Sequence, residues 1–117
     1  MEDINKQVLT QNAAGMRLIV LMTLFNSANY PRLRTYIADN YHPSLLEEQP
    51  GNVRLALLKA QRRLSGKVRV RQIIAVDKYQ VVVLMESAHE GTLTMIDLAV
   101  EEEYPHRIIR FSQTVTN

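Results

Sequence analysis

The chain contains no cysteine, which excludes disulfides, thiolate metal sites and a cysteine nucleophile and fits a reducing, cytoplasmic setting. Its four glycines, Gly15, Gly51, Gly66 and Gly91, lie far apart, and no Gly-x-Gly-x-x-Gly or Walker pattern exists to cradle a phosphate. Neither Ser-x-x-Lys nor Gly-x-Ser-x-Gly occurs, so serine-hydrolase sites of those types are absent. The three histidines, His42, His89 and His106, show no His-x-x-x-His or His-Glu-x-x-His spacing. No metal and no cofactor is therefore expected. Acidic residues are missing from the whole stretch between Gln49 and Val76.

What is present is a globular composition. The 117 residues are 46% hydrophobic and 22% charged, with a formal charge of +2, which suits one domain with one core over residues 1–117. Residues 16–25 (MRLIVLMTLF) form an apolar run of ten, half of the about 20 that a membrane-spanning helix needs. Polar residues precede it and the apolar pattern continues beyond it, which predicts a buried helix. Were translation to begin at Met16, the same run would read as an export signal.

Periodicity divides the chain in two. Residues 5–28 read as one long helix, with Leu9, Ala13, Met16, Val20 and Leu24 at helical spacing and Leu18, Leu21, Met22 and Phe25 widening the stripe. Gly15 inside it predicts a closely packed neighbour. Pro31 opens a second helix carrying Leu33, Tyr36, Ile37 and Tyr41, and Pro43 breaks it near residues 40–42. After the turn Gln49-Pro50-Gly51-Asn52, a third helix presents Val53, Leu57, Ala60 and Leu64 and closes at Ser65-Gly66.

Beyond Gly66 the period becomes two. Val68, Val70, Ile74 and Val76 alternate with Lys67, Arg69 and Arg71, and Glu101, Glu102 and Glu103 are possible partners for that basic row. Further strands are expected over 79–85, 92–100 and 107–115, joined at Asp77-Lys78, at a His89-Glu90-Gly91 hairpin loop and by a polar turn over 101–106. The expected architecture is α+β: three N-terminal helices packed on a curved antiparallel sheet of about four strands. Strand 79–85 (YQVVVLM) is apolar on both faces, which predicts a homodimer through the open sheet face.

The phrases FNSANYPRLRTYIADNY, HPSLL and YPHRI, with this element order, resemble the nuclear transport factor two-like (cystatin-like cone) superfamily. More narrowly, they resemble a small domain that precedes beta-lactamase-like serine hydrolases in some bacterial proteins. The resemblance implies a sheet curled into a cone, dimerisation through that sheet, and a mouth that holds a small apolar ligand, a substrate or nothing.

For acid–base chemistry in such a mouth, His42 after the second helix and Asp97 within an apolar strand are the catalytic candidates. Tyr36, Tyr41, Tyr79 and Glu86 are the candidate pocket-lining residues. Each has a plainer structural reading: a turn cap for His42, solvent for the carboxylates, core packing for the tyrosines. The matching set of an isomerase, one tyrosine and two aspartates, is not found. The expectation is a non-catalytic or vestigial binding module for a small, largely apolar molecule or a protein. The rival is a small isomerase, cyclase or dehydratase acting on an apolar carbonyl-type substrate. A third reading is polyanion binding through residues 54–71; against nucleic acid, no aromatic is interleaved there.

Overall fold

The computed structural model describes residues 2–89 and 91–116, with side chains from Lys6 onward. Among these, five helices precede four strands: α1 (Glu2–Leu9), α2 (Ala13–Asn26), α3 (Tyr30–Asn40), α4 (Pro43–Glu48), α5 (Gly51–Ser65), β1 (Val68–Asp77), β2 (Gln80–Ser87), β3 (Leu93–Val100) and β4 (Ile108–Val115). The strands form one antiparallel sheet in chain order. The expected α+β class and meander are present, with two more helices than expected.

The first extra helix arises because residues 5–28 are not continuous. Asn12 adopts an extended conformation and its side chain accepts the Gly15 N–H at 2.6 Å, starting α2 afresh. The preceding α1 folds back so closely that a Cβ on Gly15 would lie 1.9 Å from the Leu9 carbonyl oxygen. Glycine is required there by the backbone of Leu9. The second extra helix, α4, starts at the proline that ends α3: Pro43 occupies its first turn and His42 caps it.

Two helical faces differ from expectation. α2 buries Ala14, Leu18, Leu21 and Phe25 against the sheet, whereas Met16 and Val20 are exposed. α5 buries Leu55 and Leu58, while Val53, Leu57 and Leu64 face solvent, Leu64 at 78% exposure. The inner side of α5 also carries two arginines whose heads cap other helices. Arg54 donates to the carbonyls of Gln49 and Leu45, both at 2.8 Å, and stacks over the Tyr41 ring. Arg62 donates to the Asn26 carbonyl at 3.1 Å. The Leu45 carbonyl also accepts the Gln49 N–H at 3.0 Å, so Arg54 adds a second donor there, and the three bonds tie α5 to the C-terminal ends of α4 and α2.

In the sheet, Val81, Val83 and Met85 of β2 and Ile96 and Leu98 of β3 point toward the helices and are buried. The register pairs Val70 with Met85 but Gln72 with Leu84, and Ile73 with Val83 but Ala75 with Val82. Arg71 and Ile74 are therefore the extra residues of two bulges, so Ile73 turns inward and Ile74 outward, the reverse of simple alternation. The outer face carries Ala75, Val82, Leu84 and Met95 between two charged groups, Arg69 with Glu86 and Asp97 with Arg110. The Glu90 position of the expected hairpin loop lies outside the described residues.

Candidate functional site: two cavities under the helices

An inner cavity of about 470 Å³ lies between α2, α5 and the sheet. Leu18, Leu21 and Phe25 form one wall, Leu58 a second, and Met85 with Ile96 the floor. Near its rim Gln61 Nε2 donates to Gln113 Oε1 at 2.7 Å, linking α5 to β4. Its polar lining is confined to hydroxyl and amide side chains. Among the described residues that line it, none carries an ionisable side chain.

A second, edge cavity of about 730 Å³ opens between α1, α2 and β1. Its walls are Leu9, Ile19, Met22, Val68 and Val70, and among the described residues its charged lining is Lys6, Lys67, Arg69 and Glu86. Met22, Val68 and Ser87 line both cavities. Val68 is fixed there by a two-way clasp: its N–H donates to Asn26 Oδ1 and its carbonyl accepts from Asn26 Nδ2, both at 2.8 Å.

The candidate residues of the sequence are held elsewhere, with one exception. Glu86 lines the edge cavity, where its Oε1 accepts from Arg69 at 2.7 and 3.1 Å and its Oε2 lies 3.4 Å from Arg71. The hydrogen bond from Arg69, helped by the charges of both arginines, holds its carboxyl below the usual range. The basic row of β1 thus pairs with Glu86, and Glu101 pairs instead with Arg107. Asp97 sits on the outer face between Gln80 Nε2 and Arg110 Nη2, each at 3.1 Å. His42 accepts the Ser44 N–H at Nδ1, 3.1 Å, and its Nε2 lies 3.9 Å from Glu101. Neither His42 nor Asp97 lines either cavity.

The three tyrosines also lie away from both cavities. Tyr36 is buried, with its hydroxyl donating to the Arg17 carbonyl at 3.1 Å, and Tyr41 is buried beneath Arg54. Burial raises the pKa of both phenols. Tyr79 stacks on His106 at 5.8 Å. The corner of residues 25–46 is closed on this side. Tyr41 bridges Ile108, the His42 N–H donates to the Ile108 carbonyl at 2.8 Å, and Arg17 donates to the carbonyls of His106 and Pro105 at 3.1 and 2.6 Å.

His89 has a structural partner: its Nδ1 contacts the Leu64 carbonyl at 3.0 Å, at the end of α5. With Arg54 and Arg62 turned to helix ends and Arg69 and Arg71 on Glu86, the stretch 54–71 does not present its cations as one solvent-facing row. No group of three or more His, Cys, Asp or Glu capable of holding a metal occurs among the described residues. No helix among them is long and apolar enough to cross a membrane.

The lining residues missed in sequence are chiefly apolar or short and polar. One signal for part of the set was available: the alternation of β2 and β3 assigns Met85, Thr94 and Ile96 to a shared face. Comparison with known proteins found no matching family model, curated protein or solved structure.

Proposed function

We propose that the chain is a non-catalytic binding module, built on a cone of the nuclear transport factor two-like kind, whose inner cavity receives a small, uncharged, largely apolar molecule. The observation that carries this reading is the lining itself: aliphatic and aromatic walls, amide and hydroxyl groups for orientation, and, among the described residues, no ionisable side chain. The volume falls within the about 300–1,000 Å³ typical of small-molecule sites. General acid–base catalysis requires a titratable group within hydrogen-bond reach of the substrate. The two catalytic candidates, His42 and Asp97, are engaged by Ser44 and by Gln80 with Arg110.

The module pairs with a second copy through the outer sheet face. Ala75, Val82, Leu84 and Met95 supply an apolar strip, and the flanking Arg69–Glu86 and Asp97–Arg110 pairs give its rim both signs of charge.

Native mass spectrometry of gently purified protein tests both parts. The expected result is a dimer carrying a reproducible neutral mass, with that mass lost in Thr94→Trp, whose indole would fill the inner cavity, and the dimer lost in Met95→Glu. A monomer would remove the interface. Retention of the same mass by folded Thr94→Trp would remove the inner cavity as its seat.

A further inference from the structure

We propose that the edge cavity is a separate site for a single-chain amphiphile with one anionic head, a fatty carboxylate in the simplest case. This does not rest on the inner-cavity reading. The two cavities differ in chemistry although they share three wall residues: among the described residues, the inner one has no charged lining, and the edge one has Lys6, Lys67, Arg69 and Glu86.

The charges of the edge cavity fall into two groups. Glu86 is saturated by two guanidinium groups, so it neither repels an incoming anion strongly nor calls for another cation. Lys6 on α1 and Lys67 before β1 have no acidic partner in an ion pair among the described residues. Both line the same cavity, from different elements, beside an apolar wall of Leu9, Ile19, Met22, Val68 and Val70. A lysine head can reach an anion while its methylene stem lies along that wall. The complementary ligand has an apolar body and a single negative end. A polyanion would leave the wall unused, and a neutral apolar molecule would leave the lysines unused.

Met22 is the adaptable element of the wall. Its unbranched thioether can change rotamer to admit chains of different length, while the Asn26 clasp holds Val68 opposite in place. Each additional methylene buried should strengthen binding about fourfold until the wall is filled.

The test is isothermal titration of the full chain with octanoate, decanoate and dodecanoate below their micelle concentrations, with 1-decanol and decyltrimethylammonium as head-group controls. Decanoate should bind more tightly than decanol, the cationic amphiphile should not bind, and added salt should weaken decanoate alone. Lys6→Gln and Lys67→Gln should each weaken decanoate about five- to tenfold. Decanol affinity should be unchanged, and Lys67→Arg should restore most of the loss.

Equal affinity for decanoate and decanol, or indifference to both lysine variants, overturns the proposal. So does sedimentation with phosphatidylglycerol vesicles in the absence of monomer binding, which would make the lysines a lipid-surface contact. Thr94→Trp separates the two cavities, because Thr94 lines only the inner one. Decanoate binding that survives Thr94→Trp supports the edge site. Binding abolished by it moves the carboxylate to the inner cavity, overturning the edge site and leaving the inner cavity as a binding pocket.

Discussion

Replacing Gly15 with alanine should destabilise the protein, although helix propensity alone argues the opposite. Within a helix, alanine is favoured over glycine by about 1 kcal/mol. Here the new methyl would sit 1.9 Å from the Leu9 carbonyl oxygen and 2.6 Å from its carbon. The obstacle is backbone, so no side-chain rotation relieves it. α1 must lift from α2, and Leu9, now 1% exposed, is drawn out of the core with it. Exposing a buried leucine costs about 1.5–3 kcal/mol, so after the propensity gain the net loss is about 0.5–2 kcal/mol. With a urea slope of about 1.5 kcal/mol per molar, the midpoint should fall by about 0.3–1.3 M. Urea unfolding followed by circular dichroism measures it, and limited proteolysis should show earlier cleavage near residues 9–12. A rise in the midpoint for Gly15→Ala would refute the close approach of α1 to α2. Because Lys6 and Leu9 line the edge cavity, the same variant should also weaken decanoate binding.

Asn26→Ala should cost about 2 kcal/mol, since it removes two part-buried hydrogen bonds at Val68; faster hydrogen exchange at the Val68 amide would accompany the lower urea midpoint. Asn26→Asp should not restore stability, because a carboxylate accepts from the Val68 N–H but cannot donate to its carbonyl. The carboxyls of Glu86 and Glu101 are held below their ordinary range by hydrogen bonds from Arg69 and Arg107, respectively. Their contribution is therefore present above the unfolded value of about 4.3 and is lost as pH falls through the depressed values. Urea midpoints should drop below about pH 4.3, and less steeply in a Glu86→Gln, Glu101→Gln double variant. In alkali the sign reverses: burial raises the pKa of Tyr36 and Tyr41, so the contribution of these two groups is full below about pH 10 and is lost as pH rises above it. Ultraviolet titration should show a late phenolate step for the native protein that Tyr36→Phe and Tyr41→Phe reduce.

The sheet was legible because its signals are local. Alternation, Asp77-Lys78 and Gly91 mark the strands within a residue or two, and Gly91 has a positive φ of 66°, a conformation that favours glycine in a hairpin loop. The helical faces were less legible. α2 is apolar on nearly every side, so its periodicity cannot say which side meets the sheet; contact with β2 and β3 decides it. On α5 the apolar series Val53, Leu57, Ala60 and Leu64 is regular, yet it lies outside because Leu55 and Leu58 face α3 and the core. The destinations of Arg17, Arg54 and Arg62 depend on carbonyls as far as 89 residues away, which no local pattern encodes. The cavity residues were hidden for a related reason. His42, Asp97 and the tyrosines drew notice through chemistry they spend on folding, whereas the lining is largely aliphatic and polar-neutral.

The Asn26 clasp has a consequence for how the molecule behaves when crowded. β1 and β4 are the two margins of an open sheet, and an unguarded margin is a template on which another chain can add as a strand. At the start of β1 one side-chain amide already takes both backbone groups of Val68, and the bulges at Arg71 and Ile74 break the spacing a docking strand would need. At the start of β4 the bridge from Tyr41 and the His42 N–H occupy Ile108. Each margin is thus blocked where it begins, so loss of Asn26 would open a place for fibrillar growth as well as lowering stability.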